Sequence, residues 1–184
     1  MYKMMDLDTI SEYFLFFSRS KNLPNRYMSN FTIINGGGIT IPETFPIKNM
    51  IGYKFNSIEN AFQASKYGLI EDINGIKLIQ KSTPNEAKSL GSKSGMKKQG
   101  KKLDTPLWNS MSYIIMQELV RERMKIDELY RLIAKNCKMR KIPIKHFERN
   151  GSKSFWGGCY KNGEWVGYNA LGRIITETVN EFYY

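Results

Sequence analysis

Residues 57–66 constrain the fold of this chain most, because a helical pattern and a polar pattern coincide there. At about 100° per residue, a helix places Glu59, Gln63 and Lys66 on one stripe, at i, i+4 and i+7. An adjoining, mostly apolar stripe consists of Ile58, Ala61, Phe62, Ser65 and Leu69. The segment therefore predicts a helix on which a carboxylate, an amide and an amine line the edge of a buried face.

Two interpretations of this polar stripe stay open. A carboxylate at the edge of a buried face can stabilise positive charge, and a lysine there can bind phosphate or attack a carbonyl carbon. The alternative is a surface helix whose polar side chains interact loosely with each other and contribute little to stability.

The overall charge favours anionic partners. The 184 residues carry a net charge of +11 and a sequence pI of about 9.6, which favours phosphate esters, nucleotides or nucleic acid. The alternative is that a composition rich in Lys, Asn and Ile reflects coding bias and solubility alone. The length suits one domain with its own hydrophobic core.

The few thiols and the polar sequence exclude several classes of protein. Cys137, Cys159 and a single histidine cannot form a dedicated zinc site without carboxylate help. We expect neither a metal nor a cofactor, and we expect reduced thiols and a cytoplasmic location. No apolar run approaches the roughly 20 residues that cross a bilayer, and the first residues lack the apolar stretch of a secretory signal, so no membrane partner is expected.

Short strands and helices mix irregularly along the chain. Strands are predicted at 13–17 (or a short helix there), 31–35, 39–41, 51–55 and 142–147, with turns at 22–25 and 36–38 and a hairpin turn at Asn162-Gly163. Residues 92–102 have the composition of a mobile basic loop. This mixture predicts an α+β fold rather than a regular parallel sheet with helices.

Capping residues predict where the helices begin. Ser57 is a plausible N-cap of the first long helix, and residues 83–86 form a capping box before a short helix that ends at Gly91. Asp104 opens a longer helix, and Asp127 caps another that reaches about residue 134. The expected inward stripe of the longer helix is Leu107, Met111, Ile114, Ile115 and Leu119.

The final helix is expected to begin near Asn169. Its inward face is predicted to comprise Leu171, Ile174, Ile175, Val179 and Phe182. The free amides of a helix start bind anions well, and Gly172 leaves room beside them. The alternative is that Asn169 is only an N-cap.

Three further segments carry side chains suited to a ligand. Ser29 and Asn30 place a hydroxyl and an amide before a predicted strand, although an ordinary turn has the same composition. Glu148 precedes a Gly-Ser-Lys loop, and its alternative is a solvated acid at a strand end. Trp156 can stack on a base while Gly157 lets backbone approach a ligand, or the pair is a tight turn with a buried indole. With no partnered nucleophile motif, His146 favours a structural role.

Six ordered blocks at compatible spacing carry a resemblance to a known family. They are Ser29-Asn30-Phe31; residues 57–66 against Ser/Thr-x-Glu-His-x-Phe-Gln-Ala-x-Lys; Thr83-Pro84 with Ala87 and Gly91; Trp108 with Met116, Arg123 and Met124; Glu148 eight residues before Trp156-Gly157; and Gly167-x-Asn169-x-Leu171-Gly172. Over nearly its whole length, the chain resembles the NADAR family (NAD- and ADP-ribose-associated), also called YbiA-like.

The resemblance implies a single α+β domain over residues 1–184, with several helices around a small sheet of short strands. It also implies hydrolysis of N-glycosidic bonds of ribosyl phosphates. Some relatives act on the first two riboflavin-pathway intermediates, which are ribosylaminopyrimidine phosphates, and others remove ADP-ribose from guanine bases. The expected partner is thus a phosphorylated ribosyl small molecule or an ADP-ribosylated base, with nucleic acid as a further candidate.

The resemblance also suggests roles for residues. Glu59 or Glu148 would stabilise the ribosyl cation or activate water, and Lys66 would contact phosphate or form a Schiff base with a ring-opened aldehyde. Trp156 would stack on the base. The expected substrate-binding residues are Ser29, Asn30, Phe31, Gln63, Trp108, Arg123, Trp156, Gly157, Asn169 and Gly172.

Three positions depart from the family pattern. Asn60 replaces a histidine, Lys153 replaces an aspartate that is usual before the tryptophan, and Gly158 replaces an acid that some members carry. For the loss of negative charge near the ribose, three interpretations stay open: weaker stabilisation of the ribosyl cation, a changed substrate, or a chain that binds ADP-ribose or nucleic acid without catalysis.

Overall fold

The structure, a computed structural model, describes residues 12–35 and 37–183. Contacts divide the described chain into two compact units. The central unit is Asn30–Asp127, and the terminal unit comprises the described residues up to Ser29 and from Glu128 onward. Each unit is described below by itself. Gly36, within the predicted turn at 36–38, lies outside the described residues.

The described residues form helices and short strands. The helices are α1 (Leu23–Tyr27), α2 (Ile58–Leu69), α3 (Ile73–Lys81), α4 (Pro84–Leu90), α5 (Lys93–Lys98), α6 (Thr105–Ile126), α7 (Glu128–Met139) and α8 (Ala170–Asn180). The strands are β1 (Phe14–Phe16), β2 (Ile39–Thr40), β3 (Lys54–Phe55), β4 (Ile144–His146), β5 (Cys159–Lys161) and β6 (Glu164–Val166). The predicted α+β class is confirmed, and these strands pair two by two.

Helix α2 is the centre of the central unit. It packs against α3, α4 and α6, and ten of its twelve residues are buried. Small side chains at Ala61, Ala64 and Gly68 let neighbouring elements approach its backbone closely. The interpretation of this segment as a surface helix with loose polar contacts is therefore wrong.

Side-chain caps place the helix boundaries of the central unit where the sequence predicts them. The Ser57 hydroxyl accepts a hydrogen bond from the backbone N–H of Asn60 at 3.1 Å. Thr83 and Glu86 form the reciprocal capping box of α4, which ends at Gly91. Each cap satisfies backbone donors that the first helical turn leaves without intrahelical partners.

The predicted mobile loop at residues 92–102 is wrong, because α5 occupies most of it. Ser92 caps this helix by accepting from Gly95 N at 3.0 Å, and Met96 anchors it in the core with 2% of its surface exposed. Helix α3 was not predicted, although the Asp72 carboxylate caps it in the same way through Gly75 N. Local capping and one buried apolar residue outweigh the basic composition.

Two further predictions in the central unit need correction. Residues 31–35 form no strand, and Ile34 N donates a backbone hydrogen bond to Asn56 O at 2.9 Å. On α6, Leu107 and Ile114 are exposed while Ile115 and Leu119 are buried. The buried face of α6 is turned away from the predicted stripe, so β-propensity and periodicity alone misplace both elements.

The terminal unit is built on a parallel pair and a hairpin. Strand β1 pairs in parallel with β4, and helix α8 packs on β4 and α7. The β5–β6 hairpin turns at Asn162 and Gly163, whose φ angles of 51° and 85° suit a two-residue hairpin loop of the predicted type. The predicted turn at 22–25 lies largely within helix α1, and the helix after Asp127 extends to Met139.

Gly172 on α8 marks the closest approach of this helix to β4. A Cβ at this position would overlap Ile144 O and would lie 2.5 Å from Asn169 Nδ2. The room that the sequence predicts for a ligand beside Gly172 is thus filled by the protein itself. The glycine serves the packing of α8 against β4.

We expect Gly172→Ala to lower the free energy of unfolding by about 1–3 kcal/mol, since overpacking forces backbone to move. Helix propensity alone predicts the opposite sign, a gain of about 1 kcal/mol. Urea denaturation of both proteins measures the change. Glu177→Ala, at an exposed position of the same helix, is the control and should change stability by less than about 0.5 kcal/mol. A stabilised Gly172→Ala protein would contradict the close approach.

Among the described residues, no helix combines the length and the apolar character that crossing a bilayer requires.

Candidate active site

Three polar side chains of α2 form a hydrogen-bonded chain in the central unit. Gln63 Nε2 donates to Glu59 Oε1 at 2.9 Å, and Lys66 Nζ donates to Gln63 Oε1 at 2.7 Å. Glu59 and Gln63 are only 7% and 6% exposed. The amide thus links a buried acid to a partly buried amine, as the helical spacing predicts.

Neighbouring elements hold the two ends of this chain. The backbone N–H of Glu59 donates to Asn30 O at 3.0 Å, and Lys66 Nζ also donates to Gly91 O at 2.7 Å. The Lys66 amine lies 5.2 Å from the centroid of the Trp108 ring. Trp108, which was predicted to bind substrate, thus lies beside the α2 stripe, where its π face favours the cationic form of the lysine.

Burial shifts the pKa of both charged groups toward their neutral forms. Desolvation raises the pKa of Glu59, against the hydrogen bond from Gln63 and the positive charges of Lys88 and Lys66. Desolvation lowers the pKa of Lys66 to about 8; the Glu59 charge opposes this shift and the Lys88 charge adds to it. At pH 7 about a tenth of the Lys66 amines are then neutral and nucleophilic.

The side chain of Asn30, whose backbone carbonyl bonds to Glu59 N, offers a further hydrogen-bond acceptor. Its side chain is 8% exposed, and its Nδ2 donates to Met116 Sδ at 3.5 Å. Its Oδ1 is buried without a hydrogen-bond partner among the described residues. Because a buried acceptor without a partner is costly, this oxygen suits a donor group on a ligand.

Lys88, on α4, and Gly91, at the end of this helix, lie beside the α2 chain. A Cβ at Gly91 would overlap Gln63 Oε1, so only glycine leaves the amide in its linking position. Lys88, on the exposed side of α4, places Nζ 5.2 Å from the centroid of the Phe31 ring. Sequence reasoning missed Lys88; its position three residues before Gly91, on the same short helix, was the available signal.

Arg123 was predicted to bind substrate, and the structure corrects this. Its side chain is fully buried, and its Nε donates to Asp127 Oδ2 at 3.0 Å. No part of the Arg123 side chain is exposed to solvent. Such a buried, paired guanidinium has a structural role at the end of α6.

In the terminal unit, Glu148 and Gly157 lie together. The Glu148 carboxylate is 39% exposed, and its Oε1 lies 3.6 Å from His146 Nδ1. A Cβ at Gly157 would lie 3.1 Å from both Glu148 Cγ and Oε1. Trp156, whose carbonyl lies 3.3 Å from His146 Nδ1, packs edge-on against Phe155. The spacing between Glu148 and Trp156-Gly157 therefore reflects contact within this unit.

The predicted anion site at the start of α8 is wrong. The backbone N–H groups of Asn169, Ala170 and Leu171 already donate to the carbonyls of Gly157, Phe155 and Trp156, at 2.9 to 3.1 Å. Asn169 is in the left-handed region, at φ 58°, and makes no side-chain cap.

The Asn169 side chain instead bonds to the β4 backbone. It accepts from His146 N at 2.9 Å and donates to Ile144 O at 2.9 Å, which favours a structural role. Ser29 is buried and its N–H closes the end of α1 on Arg26 O. A ligand contact by Ser29 or Asn169 stays a prediction.

The departures at Asn60 and Gly158 have structural explanations. Asn60 is 1% exposed, and its Nδ2 donates to Ile79 O and Ser82 O at 2.9 and 2.8 Å. It thus joins the start of α2 to the end of α3. At Gly158, any side chain would meet the Trp165 ring and Val166 O at 2.5 Å. The missing histidine and acid leave the Glu59–Gln63–Lys66 chain intact.

These features define an α+β protein with a buried acid–amide–amine chain and, among the described residues, no cluster of three metal-ligating side chains. The model of the NADAR domain matches residues 16–182, and the chain belongs to the NADAR family. This family is generally associated with glycosidase activity on N-glycosidic bonds.

The fold is similar to a solved structure of the same kind. The NMR structure of the E. coli protein YbiA matches with a TM-score of 0.67 and 19% sequence identity, and the match covers 94% of this chain and 86% of that one. At this identity the likeness shows the fold alone. A comparison with the curated proteins found no significant match.

Proposed function

We propose that this chain is an N-glycosidase that hydrolyses the C–N bond between a ribose phosphate and an aminated heterocycle. The early riboflavin-biosynthesis intermediates, the ribosylaminopyrimidine phosphates, are the proposed substrates. One observation carries the proposal: Glu59, Gln63 and Lys66 form a buried hydrogen-bonded chain with a raised acid pKa and a lowered amine pKa. Such paired shifts are typical of catalytic sites.

Glu59 is proposed to act on the scissile bond. Breaking a ribose C–N bond develops positive charge on the sugar and negative charge on the leaving nitrogen. With its raised pKa, Glu59 keeps a proton to a higher pH than a solvated glutamate, and it can donate that proton to the leaving nitrogen. Once ionised, the carboxylate stabilises the cationic sugar.

Lys66 is proposed to be the nucleophile. Its neutral amine adds to C1 of the ring-opened imine form of the substrate, and the heterocycle leaves as a free amine after gaining a proton. C1 then stays bonded to Nζ as a Schiff base, and water releases the sugar aldehyde and restores the amine. The two hydrogen bonds of Nζ, to Gln63 and Gly91, support a fixed amine rather than a mobile phosphate-binding one.

In the terminal unit, Glu148 is the alternative carboxylate for cation stabilisation or water activation, and Trp156 is proposed to stack on the base. The partial exposure of the Glu148 carboxylate supports access to water. We also propose that residues 1–184 act as one NADAR domain in the cytoplasm. The match of the family model to residues 16–182 supports the single domain.

Incubation with each substrate class tests the proposal. The purified protein is mixed in parallel with a ribosylaminopyrimidine phosphate and with an oligonucleotide that carries ADP-ribosylated guanine, and chromatography detects the released heterocycle or ADP-ribose. We expect release of the aminopyrimidine. Release of ADP-ribose alone would assign the alternative substrate, which the net charge of +11 favours. Tight binding without release from either would contradict an enzyme and support a binding module.

A further inference from the structure

Lys88 is a third charged group at the α2 chain, and neither the family motif nor the mechanism above uses it. It is exposed on α4, and its amine lies against the Phe31 ring. Its positive charge acts on both Glu59 and Lys66. Lys88 lies on α4, a helix that packs against α2.

Two anchored segments bracket the position of Lys88. Phe31, under its amine, directly follows Asn30, whose carbonyl accepts from the Glu59 N–H. Gly91, three residues after Lys88 and so about one helical turn along, accepts from Lys66 Nζ. Lys88 therefore lies near both ends of the α2 chain: Phe31, under its amine, adjoins the residue bonded to Glu59, and Gly91 is bonded to Lys66.

The charges of this group leave one positive charge in excess. Glu59 carries one negative charge when ionised, while Lys66 and Lys88 carry two positive charges when protonated. Lys66 is partly buried and bonded to two acceptors, whereas Lys88 is exposed and has a flexible stem. A phosphate that approaches from solvent therefore meets the Lys88 amine more readily than the Lys66 amine.

We propose that Lys88 binds the phosphate of the ribosyl substrate and so leaves Lys66 to act as the reactive amine. The inference rests on the proposed function and deepens it. It assigns the phosphate monoester of the proposed substrate to a residue outside the α2 chain. It also separates the two tasks that the sequence allowed for Lys66.

A matched pair of variants and a matched pair of substrates test the assignment. Lys88→Met keeps the aliphatic stem over Phe31 and removes the charge, and Lys93→Met removes an exposed charge from the neighbouring α5. For the phosphorylated substrate, we expect Lys88→Met to lower kcat/KM about 10- to 100-fold, mainly through KM. For the dephosphorylated substrate, kcat/KM on the alkaline plateau, where the Lys66 amine is neutral in both proteins, should be unchanged. Lys93→Met should match the wild type with both.

The pH profile tests whether the Lys88 charge acts on the reactive amine of Lys66. Glu59 on the same helix and Lys88 on α4 are the charged groups whose fields act on Lys66. The Lys88 charge lowers the pKa of Lys66. Removal of this charge in Lys88→Met should therefore raise that pKa and move the rising limb of kcat/KM to higher pH. Equal losses with both substrates, and an unmoved limb, would overturn the assignment.

A binding measurement separates this inference from the proposed function. If the wild type releases no heterocycle from either substrate, the proposed function fails, and calorimetric titration with ribose 5-phosphate then tests Lys88 alone. At least a 10-fold weaker affinity of Lys88→Met than of Lys93→Met would support the phosphate site. Equal affinities in the two variants would overturn it.

Discussion

The Glu59→Gln variant is expected to release the heterocycle about 10²- to 10³-fold more slowly than the wild type, since proton transfer by a positioned acid contributes that much. Glutamine has the shape of glutamate, and its amide can still accept from Gln63 Nε2, so the α2 chain keeps its geometry. The loss should appear in kcat, because the carboxyl group acts in the transition state rather than in ground-state binding. Steady-state kinetics at several pH values measure it.

The controls for this variant are a second acid and the pH profile. Glu43→Gln, at an exposed position of the central unit, should keep full activity. The Glu59 charge raises the pKa of Lys66, so its removal should move the rising limb of the residual rate to lower pH. This is opposite to the direction expected for Lys88→Met. Near-normal kcat in Glu59→Gln would refute the role of the acid.

Lys66→Met is expected to show an even larger loss, about 10³-fold or more, because it removes the group that bonds to the sugar. Lys66→Arg discriminates between the two roles of the lysine. An arginine can hold phosphate, but its guanidinium stays protonated and is never a neutral nucleophile. We therefore expect Lys66→Arg to be as inactive as Lys66→Met, and an active Lys66→Arg enzyme would assign Lys66 to phosphate contact.

The wild-type pH profile follows from the same amine. With the Lys66 pKa lowered to about 8, the neutral fraction grows as the pH rises, so kcat/KM should increase from pH 7 and level off above about 9. Rates that stay constant between pH 7 and 9 would contradict a reactive Lys66 amine.

The helix starts were predictable because they depend on local chemistry. Ser57, the Thr83 capping box and Asp104 each satisfy backbone donors within three residues, and the structure places all three as N-caps. The polar stripe of α2 was predictable for the same reason, since side chains four residues apart meet on any helix.

The predictions that were wrong or missing concern residues whose contacts are with residues far away in the sequence. The amides at the start of α8 are satisfied by carbonyls of residues 155–157, and no local pattern indicates such bonds. Arg123 is typical of a phosphate ligand by residue type, but its burial with Asp127 depends on how α6 packs. The sequence does not distinguish Lys88 from the other exposed lysines, because its position beside Phe31 depends on the fold.

Three departures from the family pattern suggested a binding-only relative, and the structure weakens that case. Asn60 bonds to the end of α3, and a side chain at Gly158 would collide with Trp165. Neither position removes a group from the Glu59–Gln63–Lys66 chain. Lys153 is exposed on a 3₁₀ turn of the terminal unit, and nothing in the structure explains its replacement of an aspartate.

Borohydride trapping tests most directly whether the Lys66 amine is the group that reacts. Sodium borohydride is added during turnover of the ribosylaminopyrimidine phosphate, and peptide mass spectrometry locates any reduced adduct. We expect a sugar phosphate bonded to the peptide that contains Lys66, and we expect no such adduct in Lys66→Arg. An unmodified wild-type protein that nevertheless releases the heterocycle under the same conditions would contradict the role of Lys66 as the nucleophile.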